Sequence, residues 1–370
     1  MTKKKRIIVI SLISFFSLII AVFVFAIVSP WPTIWLTRHF FSKDAYDNVV
    51  TRNSVNGLNV TISEDHIYDL DAKKHTNSNF NIIFPNSSDE LPVLIYVHGG
   101  AFVASDKNDT QNYLAKIANH GFIVINMNYG LAPRSNFPMP LIQLCKMYNY
   151  LIGNEHFIEE KYDINLDMQS VFLGGDSAGA NIVSIFSLIQ TNSTFLNQTT
   201  ILKSHKDALV IPNAQINGII LLCGVFDFNS FKSFKGLPEF LVNQLGRSIT
   251  GQWKWKNSAS VDEMSLYKIS DSATYIHYMT SSFPKTYITD GSDTMSFNSQ
   301  GEILKDLLIA EGVYVKSRFF PDLRHIFHFM LENVEADNTL SLNDKEQIDK
   351  CVNGANLVFA EIIEFMNTFK

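Results

Sequence analysis

A chain of 370 residues, 46% of them hydrophobic and 18% charged, is long enough to bury one large core and requires no second independent domain. Its formal charge is −6, and more negative still once a basic leader is set aside, so nucleic acid is excluded as a partner. Three cysteines, Cys145, Cys223 and Cys351, are too few for a disulfide framework and read as small buried hydrophobes.

The chain opens on a basic leader, residues 1–6, in which Lys3, Lys4, Lys5 and Arg6 are consecutive. Ile7 to Val28 follow without a charge. As a helix this stretch spans about 33 Å, which matches a hydrocarbon core of about 30 Å. It is long for the apolar region of a secretory signal, and no clean small-residue cleavage site follows, so residues 7–28 read as an uncleaved signal anchor, with a cleaved signal as the alternative. Four basic residues before the span outweigh Arg38 and Lys43 after it. The N-terminus is therefore expected in the cytoplasm and the rest of the chain outside it. Residues 29–57 form a juxtamembrane segment in which Trp31 and Trp35 are expected at headgroup level.

From residue 58 to 370 the pattern is that of one α/β domain. Strand-like runs occur at Leu58–Ile62, Asn81–Phe84, Val93–Val97, Phe122–Met127, Val171–Leu173, Gly218–Leu222, Lys285–Thr289 and Val313–Phe320, with helix-compatible stretches between them from the third onward. Such alternation predicts a mostly parallel sheet with helices on both faces, whose ligands bind at the carboxyl ends of the strands. The Asn/Ser/Thr-rich stretch Thr191–Thr200 reads as a surface loop.

Chemistry is concentrated at those strand ends. The third run leads into His98-Gly99-Gly100-Ala101-Phe102, where consecutive glycines let main-chain N–H groups approach an oxygen that becomes negative during acyl transfer. Gly99 and Gly100 are the first candidate donors. The fifth run leads into Gly174-Gly175-Asp176-Ser177-Ala178-Gly179-Ala180 and then into the helical Ala178–Gln190. Strand, G-x-S-x-G, helix is the context of a nucleophile elbow: a sharp turn exposes Ser177, and the flanking glycines leave room for the backbone and the neighbouring helix. Ala178 N–H is the third candidate oxyanion donor. Between Gly224 and Pro284 lies an excess of about 55 residues, too many for an ordinary connection, which reads as a cap insertion over about 226–280. Its apolar residues, from Phe226 to Leu245, either line the site or pack the cap on the body, and packing is the expectation for most of them.

An acid and then a histidine are needed downstream of the serine. Pro284–Asp293 reads as a strand and turn offering Asp293, with Asp290 as competitor; Val313–Phe320 reads as the last strand, after which a loop delivers His325, with His328 as competitor. Neither an H-E-x-x-H pattern nor a phosphate-loop sequence is present, so no metal and no cofactor is implied.

Together these motifs resemble the hormone-sensitive-lipase-like esterases, an α/β-hydrolase group that includes many bacterial carboxylesterases and the arylacetamide deacetylases, from about Val93 to the C-terminus. The H-G-G-G block of that family resembles His98–Ala101, its G-D-S-A-G elbow matches Gly175–Gly179 residue for residue, and its Y-R-L-A-P segment resembles Tyr129–Pro133. The resemblance implies an α/β-hydrolase fold with a helical cap, to which an N-terminal segment, here about Phe40 to Asn56, contributes. It further implies Ser177 as nucleophile, Asp293 as acid and His325, in an H-x-F position, as base. Ala101 departs from the third glycine, and Gly130 and Arg134 stand where Arg and Glu are usual, which removes an ion pair. The implied activity is hydrolysis of short-to-medium acyl or acetyl esters, small or lipid-like, through an acyl-enzyme. An amidase or peptidase on the same triad is one alternative. A non-catalytic binding or adhesion module on the same fold is the other.

Overall fold

The computed structural model describes residues 2–40, 53–70, 77–265, 278–291, 297–332 and 342–370. Eight strands form one sheet: β1 (Val60–Ile67), β2 (Asn79–Pro85), β3 (Glu90–Val97), β4 (Ile123–Met127), β5 (Asn165–Asp176), β6 (Gly218–Leu222), β7 (Thr286–Gly291) and β8 (Val315–Phe320). Their spatial order is β1-β2-β4-β3-β5-β6-β7-β8, with β1/β2 and β2/β4 antiparallel and every other pair parallel. All eight runs read from the sequence are strands, in that chain order. β5 begins upstream of its apolar run, and its pairing with β3 shifts register between Pro92 and Val93.

Two layers of helix cover the sheet, which is why its central strands are apolar on both faces. Val93, Ile95 and Val97 of β3 join one core with α4 (Met139–Tyr162) and α5 (Ala178–Thr191), whereas Leu94 and Tyr96 join the other with α3 (Lys107–Ala118) and α8 (Leu342–Phe369). α7 (Phe297–Ala310) supplies Leu304 and Leu308 to the first core. α3 starts with a capping box in which the Asp106 carboxylate accepts from Asn108 N–H and the Asp109 carboxylate from Asp106 N–H, fixing the end of the loop that follows β3. The Thr191–Thr200 stretch differs from expectation. It holds short helices at Ser193–Gln198 and Thr200–Ser204, because Asn192 caps the N–H groups of Thr194 and Phe195 while Phe195, Leu196 and Leu202 are buried.

The cap, so far as it is described, comprises a turn at Ser230–Ser233, α6 (Leu237–Thr250), a turn at Trp255–Asn257 and a short helix at Ala259–Met264; residues 266–277 lie outside the described residues. Phe226, Phe228 and Phe231 are buried against the body, whereas Leu237 and Leu241 are exposed. At the N-terminus α1 (Lys3–Val28) is one continuous helix with a mean hydropathy of 3.1 over its most apolar window, and its apolar side chains are exposed along its length. α2 (Trp31–Phe40) follows and packs on α6. Residues 41–52, most of the segment expected to join the cap, lie outside the described residues, and Asn53 beyond them donates to Phe329 O at 2.8 Å.

Candidate active site

Ser177 is the single residue between β5 and α5. Its backbone has φ 49° and ψ −112°, a left-handed conformation that costs free energy and that the neighbouring elements hold in place. Ser177 N–H donates to Leu222 O at 2.8 Å, pinning the turn to the end of β6. The close approach of α5 to β3 explains Gly179: a Cβ there would sit 1.9 Å from Val97 O. The side chain is left half-buried at the carboxyl edge of the sheet, with its Oγ 3.2 Å from His325 Nε2.

His325 comes from the loop after β8, and the left-handed Ile326 that follows it, at φ 60°, turns the chain back into the core. Of the two competing histidines it is this one that reaches the serine. His328 is buried instead, with Nδ1 3.4 Å from Cys223 Sγ, and burial together with the nearby charge of His325 holds its pKa well below the ordinary histidine value. Asp290, the penultimate residue of β7, is buried and accepts from Gly291 N–H at 2.8 Å. Asp293 lies outside the described residues.

The loop after β3 lies beside the elbow, and Asp176 joins the two. Its buried carboxylate accepts from Tyr96 OH and from Gly99 N–H, both at 3.0 Å. Gly99 N–H, an expected oxyanion donor, is therefore already engaged, and its place in the chemistry is corrected accordingly. Among the described residues the N–H groups of Gly100, Ala101 and Ala178 have no hydrogen-bond partner. Gly100 has φ 101°, and a Cβ on it would lie 2.1 Å from Ala104 O; Ala101 and Phe102 follow at φ 52° and 63°. This run of left-handed residues is what turns successive N–H groups to one side. His98 beneath it is buried, with Nδ1 2.8 Å from Gly99 O and its ring stacked on Tyr129 at 4.6 Å. Burial lowers its pKa, and the neutral ring donates Nδ1–H to that carbonyl.

Sequence reasoning passed over Asp176 as the variable residue of G-x-S, and Ala101 as a lost glycine. The signal for Asp176 was a carboxylate written into a wholly apolar strand end, where only paired acids survive burial. The Y-R-L-A-P departures also find their reason. Gly130 N–H donates to Gln143 Oε1 at 2.7 Å, and Arg134 packs over the ring of Trp31 in α2, with no acid paired to it among the described residues.

Groups able to hold a metal converge at one place among the described residues: Cys223, Asp290 and His325 each offer a donor atom within 4.8 Å of the others. Burial and the Asp290 carboxylate push the Cys223 thiol pKa up, so it is held protonated, as a metal-binding thiol is not. A small apolar pocket is lined by Phe102, which follows Ala101, and by Ala132, Ile182, Ile249 and Met264, with Asn181 of α5 as one of its polar members.

A nucleophile elbow at the carboxyl edge of this sheet, facing a histidine from the loop after the last strand, defines an α/β hydrolase. Residues 94–329 match the family described as having the alpha/beta hydrolase fold, and the chain belongs to it, within its hormone-sensitive-lipase-like esterase group. An α/β hydrolase of Acanthamoeba polyphaga mimivirus is 28% identical over 154 residues, 41% of this chain and 42% of that protein. Tuliposide A-converting enzyme 2 of Tulipa gesneriana is 30% identical over 131 residues, 34% of this chain and 30% of the enzyme. The matched region thus spans less than half the length of these relatives. Esterase B from Lactobacillus rhamnosis superposes with a TM-score of 0.63 at 17% identity over 91% of this chain and 99% of that one. A Pyrobaculum calidifontis esterase does so with 0.59 at 16% identity over 89% and 94%. These likenesses show the fold.

Proposed function

We propose that the protein is a membrane-anchored serine carboxylic-ester hydrolase acting through an acyl-enzyme on short-to-medium acyl or acetyl esters. The observation that carries this reading is the 3.2 Å approach of His325 Nε2 to the Oγ of a serine held on a strained strand-to-helix turn. His325 takes the proton of Ser177 as Oγ attacks the ester carbonyl and returns it to the departing alcohol; water then repeats the sequence on the acyl-enzyme. Gly100, Ala101 and Ala178 N–H groups receive the developing oxyanion, while Asp176 holds their loop through Gly99. Asp293 is assigned the acid's role, orienting His325 and stabilising its imidazolium. The small apolar pocket beside Phe102 and Ile249, lined by side chains of the cap and of α5, would have to widen to take even a short acyl chain. α1 is the anchor, with the basic leader on the cytoplasmic side and the catalytic domain on the other.

The test is hydrolysis of p-nitrophenyl esters of graded acyl length by the full chain beside its Ser177→Ala counterpart. The parent is expected to turn over acetate to hexanoate, and the variant to lose about a thousandfold or more of kcat/KM. A folded variant as active as its parent would remove Ser177 from the chemistry.

A further inference from the structure

The end of α1 is not free of the body. Gln244 Nε2 donates to Ile27 O at 2.9 Å and Arg247 Nη1 to the same carbonyl at 3.3 Å, so α6 of the cap satisfies the last carbonyls of the apolar helix. Leu237 and Leu241 lie seven and three residues before Gln244, on the same stripe of α6. They are 69% and 40% exposed, and Trp253, 54% exposed, lies beyond the helix with Arg247 stacked over its ring at 3.7 Å. Leu237 is thus only about 10 Å along α6 from the point at which α1 leaves its apolar stretch. Trp35, 68% exposed, lies on α2, which packs on α6.

Charge points the same way. Around α6, between Ser230 and Ser258, the cap carries Lys232, Lys235, Arg247, Lys254 and Lys256 against Glu239, which pairs with Lys256, while Asp227 and Glu263 on either side are buried. Exposed leucines and tryptophan rimmed by basic residues form the composition of a surface that settles into an anionic lipid interface.

We propose that this edge of the cap docks on the anionic bilayer crossed by α1, so that the site takes its esters from the membrane. The proposal rests on reading α1 as an anchor. α6 reaches towards the site: Ile249, at its other end, shares a small apolar pocket with Phe102, next to Ala101, and with Asn181, whose N–H donates to Ser177 O. Arg38 of α2 donates to Val103 O at 2.6 Å and to Ala132 O at 3.0 Å, stitching the membrane-proximal helix to the loop that carries Gly100 and Ala101. A long-chain alcohol ester dissolved in the leaflet then reaches Ser177 without crossing water, and the basic rim favours bilayers that carry acidic headgroups.

The test uses the full chain reconstituted in phosphatidylcholine vesicles with and without phosphatidylglycerol, as parent and as the double variant Leu237→Ser, Leu241→Ser. Dodecyl acetate in the bilayer and p-nitrophenyl acetate in water present the same acyl group. The variant is expected to lose at least about tenfold on dodecyl acetate, a lower bound for withdrawing two leucines from an apolar phase, and to keep its rate on p-nitrophenyl acetate. Phosphatidylglycerol is expected to raise the parent's rate on dodecyl acetate alone. Docking is read separately by brominated-lipid quenching of tryptophan fluorescence, which Trp253→Phe is expected to reduce. Equal losses on both substrates, unchanged rates on both, or quenching that ignores Trp253 each overturn the proposal. So does a dimer in detergent that the leucine substitutions dissociate, since a second copy would then cover this face. Release of the chain by alkaline carbonate would refute the anchor itself, and a parent inactive on p-nitrophenyl acetate would refute the esterase reading while the quenching still reports on docking.

Discussion

At the scale of single residues, two carboxylates compete for one role. Asp290 accepts from Gly291 N–H, lies against Cys223, whose thiol pKa it helps to raise, and has its carboxylate within 4.8 Å of a His325 ring nitrogen. Asp293 is the acid we propose, on the resemblance alone. Asp293→Asn is accordingly expected to lower kcat by about a thousandfold or more, because an amide imposes the wrong imidazole tautomer, and Asp290→Asn by less than about tenfold. The reverse ranking in steady-state kinetics would make Asp290 the acid. The buried histidines make a second prediction. His98 and His328 have folded pKa values below the unfolded value of about 6.5, so the unfolded chain binds protons that the folded chain refuses. Stability is fully present above that value and is lost as pH falls from it towards the folded pKa values. The thermal midpoint should therefore drop between pH 7.5 and 5.5, and His328→Gln should flatten the dependence; a midpoint that rises on acidification would contradict the sign.

At the scale of elements, the elbow was legible because its constraint is steric. A glycine two residues after the serine is demanded by the strand it touches, and a Cβ at Gly179 falls 1.9 Å from Val97 O, a backbone atom with nowhere to go. Gly179→Ala is expected to cost about 3 kcal/mol or to abolish the folded state, measured by urea unfolding and soluble yield. A variant with parental stability and activity would mean that β3 and α5 are not in contact. Other features were less legible, and the reason is again physical. The first half of β5, Asn165 to Ser170, is polar and only partly buried, so no apolar run announces it. The helix within Thr191–Thr200, Ser193–Gln198, depends on one Asn cap and on burial of Phe195, which composition alone does not convey. The Gly99 error has the same origin: a consecutive-glycine motif shows that N–H groups gather, while the choice among them is made by Asp176, a partner 77 residues away.

At the scale of the molecule, the order of motifs along the chain was enough to give the class of fold, since an elbow, a glycine loop and a late histidine must converge at one sheet edge. What the order could not give is how the N-terminal helices are joined to the body. That junction is made by Gln244, Arg247 and Arg38 reaching main-chain carbonyls, contacts with no periodicity to betray them. They also bear on topology. Arg38, one of the two basic residues opposing the leader, is turned inward onto Val103 O and Ala132 O and so belongs to the folded body. Orientation then rests on Lys3, Lys4, Lys5 and Arg6. In sealed right-side-out vesicles, protease added outside should digest the catalytic domain and spare a tag placed before Lys3. Replacing all four leader residues by glutamate should produce a mixed population, because Arg38 and Lys43 then carry the larger positive charge. A protected catalytic domain with a digested tag in the parent would reverse the topology, and with it the side of the membrane on which the substrate must be sought.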